Sequence, residues 1–235
     1  MEKIKEAIKL IKESKKIVFL TGAGVSTLSG IPDYRSLKGI YNTNKQAEYL
    51  LSHSCFINEQ EEFYNFVKQL YHLDAKPNII HQTMAKLDNE HEVTIITQNI
   101  DDLHLKANSK KVLLFHGSLY NLYCTKCGAN IDVKDYLNSN IHQEDNGIIR
   151  PDVVLYEEGL NPQTVDQSIR AIRSADLIVV VGTSMKVYPF AGLIDYKASK
   201  TKTILVNNEP TAYHNFDVMV IGDAGDFFKE LDKNI

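Results

Sequence analysis

No long apolar run exists in this chain. The longest, Leu177 to Val181, is far short of the roughly 20 residues that cross a bilayer. The first residues, Met1-Glu2-Lys3-Ile4-Lys5-Glu6-Ala7-Ile8, alternate charge with apolar side chains, where a secretory leader needs an uninterrupted apolar stretch. Cysteine is scarce as well. Three cysteines, two of them in Cys124-Thr125-Lys126-Cys127, do not make a secreted disulfide framework. Basic residues are in deficit, with 26 Lys and Arg against 30 Asp and Glu and a formal charge of −4. That argues against a dedicated nucleic-acid binder, though not against a basic protein tail as substrate. Internal repeats and low-complexity tracts are missing too. These absences point to a reducing, cytoplasmic setting and to neither a nucleic-acid nor a membrane partner; a monomer is the expectation, though nothing in the sequence names the oligomeric state.

What is present suits a globular enzyme. Hydrophobic residues make up 43% of the chain, enough for a core, and 24% charged residues is ordinary. The length of 235 residues fits one large domain with room for a smaller inserted module. Residues 2–13 carry Ile4, Ala7, Ile8 and Ile11 at helical spacing. Lys16–Leu20 is nearly continuous in apolar character and ends at Thr21-Gly22-Ala23-Gly24. Such runs suit strands buried on both faces. Similar runs recur at Val93–Thr97, Val112–Phe115, Val153–Tyr156, Leu177–Val181, Thr203–Val206 and Val218–Ile221. Helical patterns lie between them around 79–88, 162–174, 189–199 and 225–233. The alternation predicts an α/β fold, a Rossmann-like parallel sheet with helices on both faces. Two stretches break the rhythm, at about 31–78 and 120–150. Ligands of open α/β sheets bind beyond the carboxyl ends of strands, and both stretches leave from such ends. They are expected to form a small module walling the site, within a single catalytic domain over 1–235.

The chemistry starts at Phe19-Leu20-Thr21-Gly22-Ala23-Gly24-Val25-Ser26. Glycines after a buried strand let the backbone approach a pyrophosphate. This piece alone reads equally well as a tight turn. The third glycine of the usual fingerprint is replaced by Thr27, and no ribose-binding acid follows on a second strand. The continuation, Gly30-Ile31-Pro32-Asp33-Tyr34-Arg35-Ser36, changes the balance. The whole string resembles the signature of the sirtuin family of NAD-dependent protein deacylases. Further blocks follow in that family's order: Thr97-Gln98-Asn99-Ile100-Asp101, His116-Gly117, Arg150-Pro151-Asp152-Val153-Val154, Gly182-Thr183-Ser184 and Val206-Asn207. The resemblance runs from residue 17 to about 221.

The resemblance implies a role for each block. NAD, consumed as co-substrate, lies against Gly22, Ala23, Gly24 and Ser26. Arg35 faces its phosphates, where a guanidinium fork suits the charge. Asp33 helps hold the nicotinamide end, and Tyr34 belongs to the same cofactor-binding set. Gln98, Asn99 and Asp101 meet nicotinamide and its ribose, Gly182, Thr183 and Ser184 donate to ribose or phosphate, and Asn207 contacts the adenosine half. His116 is the catalytic base, with Asn99 and Asp101 as its catalytic partners, and an imidazole near pKa 6.5 suits that task. Val154, Tyr156 and Val187 belong to two segments between which an acyl-lysine peptide adds as a strand. The implied reaction breaks the bond to nicotinamide and lets the acyl carbonyl oxygen attack the ribose carbon. His116 then activates a ribose hydroxyl, and nicotinamide, free lysine and acyl-ADP-ribose leave. Splitting of NAD without deacylation, as an NAD hydrolase or mono-ADP-ribosyltransferase, is the alternative. A non-catalytic NAD or ADP-ribose sensor ranks third, since a sensor has no need of a base.

Several positions depart from the family pattern. Sirtuins carry two cysteine pairs on a structural zinc, and only Cys124 and Cys127 are here. His142 and Asp145 repeat that spacing where the second pair is expected, and both are competent zinc ligands. The balance tips toward loss of the metal, because aspartate is uncommon in closed structural sites and the intervening segment is Asn-rich. Tyr34 replaces a phenylalanine, with little change expected. Glu157 replaces a glycine, removing backbone freedom and adding charge at the cleft, so that a basic peptide gains. Members that remove succinyl-type acids carry Tyr-x-x-Arg in the small-module helix. Here Tyr64 is followed by Val67, which cannot meet a carboxylate, so acetyl or longer neutral acyl groups fit better.

Overall fold

The computed structural model describes residues 2–32, 46–213 and 215–235. Among these, the first part of the chain runs α1 (Glu2–Glu13), β1 (Lys16–Thr21), two 3-10 turns, α2 (Ala47–Leu50), α3 (His53–Asn58), α4 (Gln60–Gln69) and α5 (Ile79–Leu87). Next come β2 (Glu92–Thr97), α6 (Leu103–Lys106), β3 (Val112–Leu114), β4 (Gly117–Cys124), β5 (Asn130–Ile131), α7 (Val133–Asn138) and β6 (Ile149–Val153). The last part holds α8 (Pro162–Ser174), β7 (Leu177–Val181), a 3-10 segment (Phe190–Tyr196), β8 (Lys202–Asn207), β9 (Val218–Ile221) and α9 (Ala224–Asp232).

Six strands form one parallel sheet in the order β3-β2-β1-β7-β8-β9. The apolar runs explain themselves through its two faces. Side chains alternate along a strand, so Ile17 and Phe19 of β1 and Leu177, Val179 and Val181 of β7 enter one core. Val18, Leu20, Ile178 and Val180 enter the other. Helices α1, α5 and α9 cover the first face, and α8 with the 3-10 segment covers the second. A fully buried Val, Leu or Ile contributes about 1.5–3 kcal/mol, and all five residues of β7 are buried. Helix starts follow the capping chemistry: Asn161 accepts from Gln163 and Thr164 N–H with Pro162 in the first turn, and Asp223 accepts from Asp226 N–H. No helix among the described residues is long and apolar enough to cross a membrane.

Three expectations are corrected. The run Val153–Tyr156 is not a strand of the parallel sheet. Strand β6 ends at Val153 and belongs to a separate antiparallel sheet, β5-β4-β6, which the polar composition of 120–150 concealed. The helical pattern near 189–199 is a 3-10 segment. Phe115 lies just past β3, its N–H donating to Thr97 O at 2.9 Å. The small sheet packs with α2, α3, α4 and α7 around a third core containing Phe56, Phe63, Phe66, Leu122 and Tyr136.

Beneath the sheet edge, His81 and His104 are sealed in the core with ring centroids 4.7 Å apart. His81 Nδ1 faces the Asn78 N–H, and His104 Nε2 meets Thr21 Oγ1 at 3.1 Å. Burial pushes His81 down from 6.5 to about 4 and holds His104 well below its ordinary value. Below pH 6.5 the unfolded chain therefore binds more protons than the folded one. Their contribution to stability is full above that pH and is lost as pH falls toward about 4. The thermal unfolding midpoint should drop across this window. In His81→Gln the slope should be shallower by up to one proton; an unchanged slope would remove His81 from the linkage.

Candidate active site

The site is built where the strand order reverses, between β1 and β7, at the carboxyl ends of the strands. Thr21 pairs with Val181, Gly22 N–H donates to Val181 O at 3.2 Å, and Gly24 N–H donates to Gly182 O at 2.9 Å. Two chain reversals thus lie against each other. A Cβ on Gly24 would sit 2.7 Å from Gly182 Cα, and Gly182 itself holds φ +60. Side chains are excluded there by backbone, which cannot swing away. Asn78, which the sequence reading did not single out, caps α5 and also donates to Val25 O at 2.8 Å and Ser29 Oγ at 2.9 Å. It clamps the glycine turn from below, and its place before an apolar helical run was the available signal.

The neighbouring strand β2 delivers Gln98, Asn99 and Asp101. Asn99 Nδ2 donates to Gly22 O and to Ser26 Oγ, both at 3.1 Å. Ser26 Oγ donates to Asp101 Oδ2 at 2.6 Å, and Asp101 Oδ1 accepts from Leu103 N–H at 2.9 Å. One buried network therefore joins the glycine turn to the acid. Burial raises the Asp101 pKa, opposed by the hydrogen bonds from Ser26 and Leu103. Ser26 is almost fully buried with its single proton committed to Asp101, so it acts within this network. Gln98 Nε2 donates to Thr183 Oγ1 at 2.9 Å, joining the ends of β2 and β7. Ala23 and Ser184 are half-buried at the same edge. Asn207, at the end of β8, is buried with its amide donating to Glu209 O. Asp33, Tyr34 and Arg35 lie outside the described residues.

His116 follows β3, against Phe115 and Phe190, with ring centroids at 5.5 and 6.4 Å. Its Nδ1 lies 3.3 Å from Gln98 O. A carbonyl can only accept, so in the neutral ring Nδ1 carries the proton and Nε2 keeps its lone pair. Burial lowers the His116 pKa, opposed by this bond. Its own carbonyl accepts from Val154 N–H at 3.0 Å, tying His116 to the segment after β6. The Tyr156 backbone is already bound, its N–H to Leu51 O and its O to His53 N–H, each at 3.0 Å, so its half-exposed ring is what it has to offer. Val187 is exposed. Tyr64 donates its hydroxyl to Tyr136 O and Val67 is buried in the third core, so neither is free to read an acyl group.

Cys124, Cys127, His142 and Asp145 bring one ligand atom each within 4.8 Å of one another. Cys124 Sγ lies 3.4 Å from Asp145 Oδ1, Cys127 Sγ 3.6 Å from His142 Nδ1, and His142 Nδ1 3.0 Å from Asp145 Oδ1. A tetrahedral zinc with bonds of about 2.0–2.3 Å sets its ligands roughly 3.3–3.8 Å apart. Lys126 N–H points at Cys124 Sγ and Gly147 N–H at Asp145 Oδ1, and a Cβ on Gly147 would strike both ligands. The cradle fits zinc, against the sequence-based lean toward loss of the metal. With four protein ligands such an ion would be structural, fastening the end of β4 to residues 142–147.

The sequence matches the family profile described as "Sir2 family" over residues 22–189. A protein named NAD-dependent protein deacetylase from Listeria monocytogenes serovar 1/2a is 52% identical over 232 residues, 98% of this chain and 100% of that one. Another of that name from Enterococcus faecalis is 53% identical over 226 residues, 96% of this chain and 95% of that one. Among solved structures, a Sir2 with p53 peptide and NAD+ superposes with a TM-score of 0.88 at 34% identity, covering 98% of each chain. A Sir2 homolog–NAD complex gives 0.87 at 32% identity, covering 98% of this chain and 93% of that one.

Two outcomes are expected. Gly24→Ala should weaken NAD binding by tenfold or more (about 1.4 kcal/mol per tenfold) and lower the unfolding midpoint, read by calorimetry. Metal analysis of the purified protein should find zinc, and Cys124→Ser should lose it together with the integrity of the small module in proteolysis. Metal-free protein with a protease-resistant module would refute the zinc assignment.

Proposed function

The chain belongs to the Sir2 family, and on that premise we propose how its residues divide the work of NAD-dependent lysine deacylation. It is an NAD-dependent protein deacetylase that acts on an acyl-lysine protein or peptide. The observation that carries the assignment of roles is the convergence, at one sheet edge, of the glycine turn, the Asn99–Ser26–Asp101 network and a neutral His116 with a free Nε2.

In this reading the NAD pyrophosphate approaches Gly22, Ala23 and Gly24, with Arg35 on the phosphates and Asp33 and Tyr34 at the nicotinamide end. Gln98, Asn99 and Asp101 hold nicotinamide and its ribose. Gly182, Thr183, Ser184 and Asn207 hold the adenosine half. The network fixes Asn99 and Asp101 before NAD arrives, so little ordering remains to be done on binding. The acyl-lysine carbonyl oxygen attacks the ribose carbon as its bond to nicotinamide breaks. His116 Nε2 then takes the proton of a ribose hydroxyl, which attacks the acyl carbon and expels the lysine amine, protonated as it leaves. A water adds to the cyclic acyl cation left bridging two ribose oxygens, and opening of that ring leaves the acyl group on one hydroxyl of ADP-ribose and frees the other. Val154, Tyr156 and Val187 wall the peptide. Cys124, Cys127, His142 and Asp145 hold zinc outside the reaction. The acyl group is acetyl or a longer neutral chain, supported by Val67 where an arginine would be needed. The reading also has the protein act as a cytoplasmic monomer without nucleic acid or membrane, in keeping with its −4 charge and low cysteine content.

The decisive assay incubates the protein with NAD and an acetyl-lysine peptide and follows nicotinamide and O-acetyl-ADP-ribose by mass spectrometry. Release should require the peptide; equal nicotinamide without peptide would make the protein an NAD hydrolase. His116→Ala should cut deacylation by about 10²–10⁴-fold with NAD binding kept, and unchanged turnover would remove His116 from the mechanism. Because burial lowers the His116 pKa and the neutral ring is the active form, the acid limb of kcat/KM should inflect below pH 6.5.

A further inference from the structure

Residues 155–158 are fastened to helix α3 on several sides. Tyr156 pairs with the backbone around Ser52 as a parallel bridge. Glu158 Oε1 lies 3.1 Å from His53 Nδ1. Both Glu158 oxygens accept from Arg150, at 2.7 and 3.0 Å, and that guanidinium stacks 5.0 Å from the Phe56 ring. Glu158 Oε2 also accepts from Leu155 N–H. Helix α3 and this segment therefore form one block, and Val154 N–H links the block to His116.

Within it, Glu157 holds φ +74. A side chain disfavours that left-handed conformation, which glycine adopts freely. Space does not demand a glutamate, since the residue is exposed. What the side chain adds is a tie to Ser54: Oε2 accepts from Ser54 N–H at 2.9 Å. Ser54 lies in the first turn of α3, whose N–H groups have no partner within the helix. The expected free charge at the cleft is thus already tethered. The backbone N–H and C=O of Glu157 have no partner among the described residues, whereas those of Tyr156 are both taken.

We propose that Glu157 is a positioning residue for the acyl-peptide: its carboxylate, anchored on Ser54, locks this turn so that the free backbone groups of Glu157 meet an incoming strand in one arrangement. The inference rests on the reading of residues 154–156 as a peptide wall. A locked edge has no ordering left to undergo on binding, so loss of the tether acts on peptide KM and leaves kcat and the KM for NAD alone.

Steady-state kinetics on Glu157→Gly and Glu157→Gln, with acetyl peptides of neutral and of basic flanks, test this. Glu157→Gly should raise KM for both peptides alike, by roughly three- to tenfold, the net size of one ordinary hydrogen bond, since the carboxylate is exposed to water. Its unfolding midpoint should not fall, because glycine relieves the strained φ. Glu157→Gln keeps an acceptor at the same reach and should restore most of the loss. Unchanged peptide KM in Glu157→Gly overturns the inference. So does a rise confined to the basic peptide, which would make Glu157 a charge read by the substrate. Both outcomes leave the peptide wall standing. If instead the unaltered protein releases nicotinamide without regard to peptide, the wall and this inference fall together.

Discussion

Two backbones approach so closely at the switch between β1 and β7 that neither can carry a side chain there. Gly24 and Gly182 are joined by a 2.9 Å hydrogen bond, and a Cβ on either would meet backbone of the other's turn within 3 Å. This contact brings the ends of β1 and β7 into register and opens a crevice bounded by backbone rather than by side chains. A pyrophosphate needs such a surface, because only bare N–H groups can come near enough to it.

Asn99 and Asp101 depend on that contact in turn. Asn99 is oriented by the Gly22 carbonyl and Ser26, and Asp101 by Ser26 and Leu103. Displacing the turn would move two of the three anchors at once. His116 is held independently, from β3 and from Gln98 O, and packs on Phe190 from the opposite layer. His116 and the Asn99–Asp101 pair therefore come from different elements that meet only in the folded sheet. The buried His81–His104 pair lies directly under this arrangement, through the bond of His104 to Thr21.

The small module reaches the same crevice through another set of ties. Its third core joins segments on either side of β2, and its metal cradle closes the far end of the small sheet. Near the crevice, the Arg150–Glu158 pair is mostly buried and doubly hydrogen-bonded. Breaking such a pair leaves an uncompensated charge, so it specifies the local arrangement strongly. Glu158 is held well down, to about 2, because Arg150, Leu155 N–H and His53 outweigh its burial. Residues 154–158 are thereby fixed to α3 and to His116 together.

Periodicity in the sequence was enough for the parallel sheet and most of its helices, because strands buried on two faces must be apolar throughout and amphipathic helices repeat at 3.6. The motif string from Gly22 to Arg35, with Asn99, Asp101 and His116 after it, was enough for the family, because so many fixed residues at fixed spacing leave few alternatives. The antiparallel sheet of 117–153 was hidden, since its strands have one polar face and lean on aromatic residues supplied from α3, α4 and α7. Whether Cys124, Cys127, His142 and Asp145 form one site was decided only by the turn that folds 142–147 back onto the end of β4. Tertiary structure alone also decided the fate of Glu157. The sequence put a charge in place of a glycine, but where that charge goes depends on Ser54, a hundred residues earlier and brought alongside by the bridge from Ser52 to Tyr156.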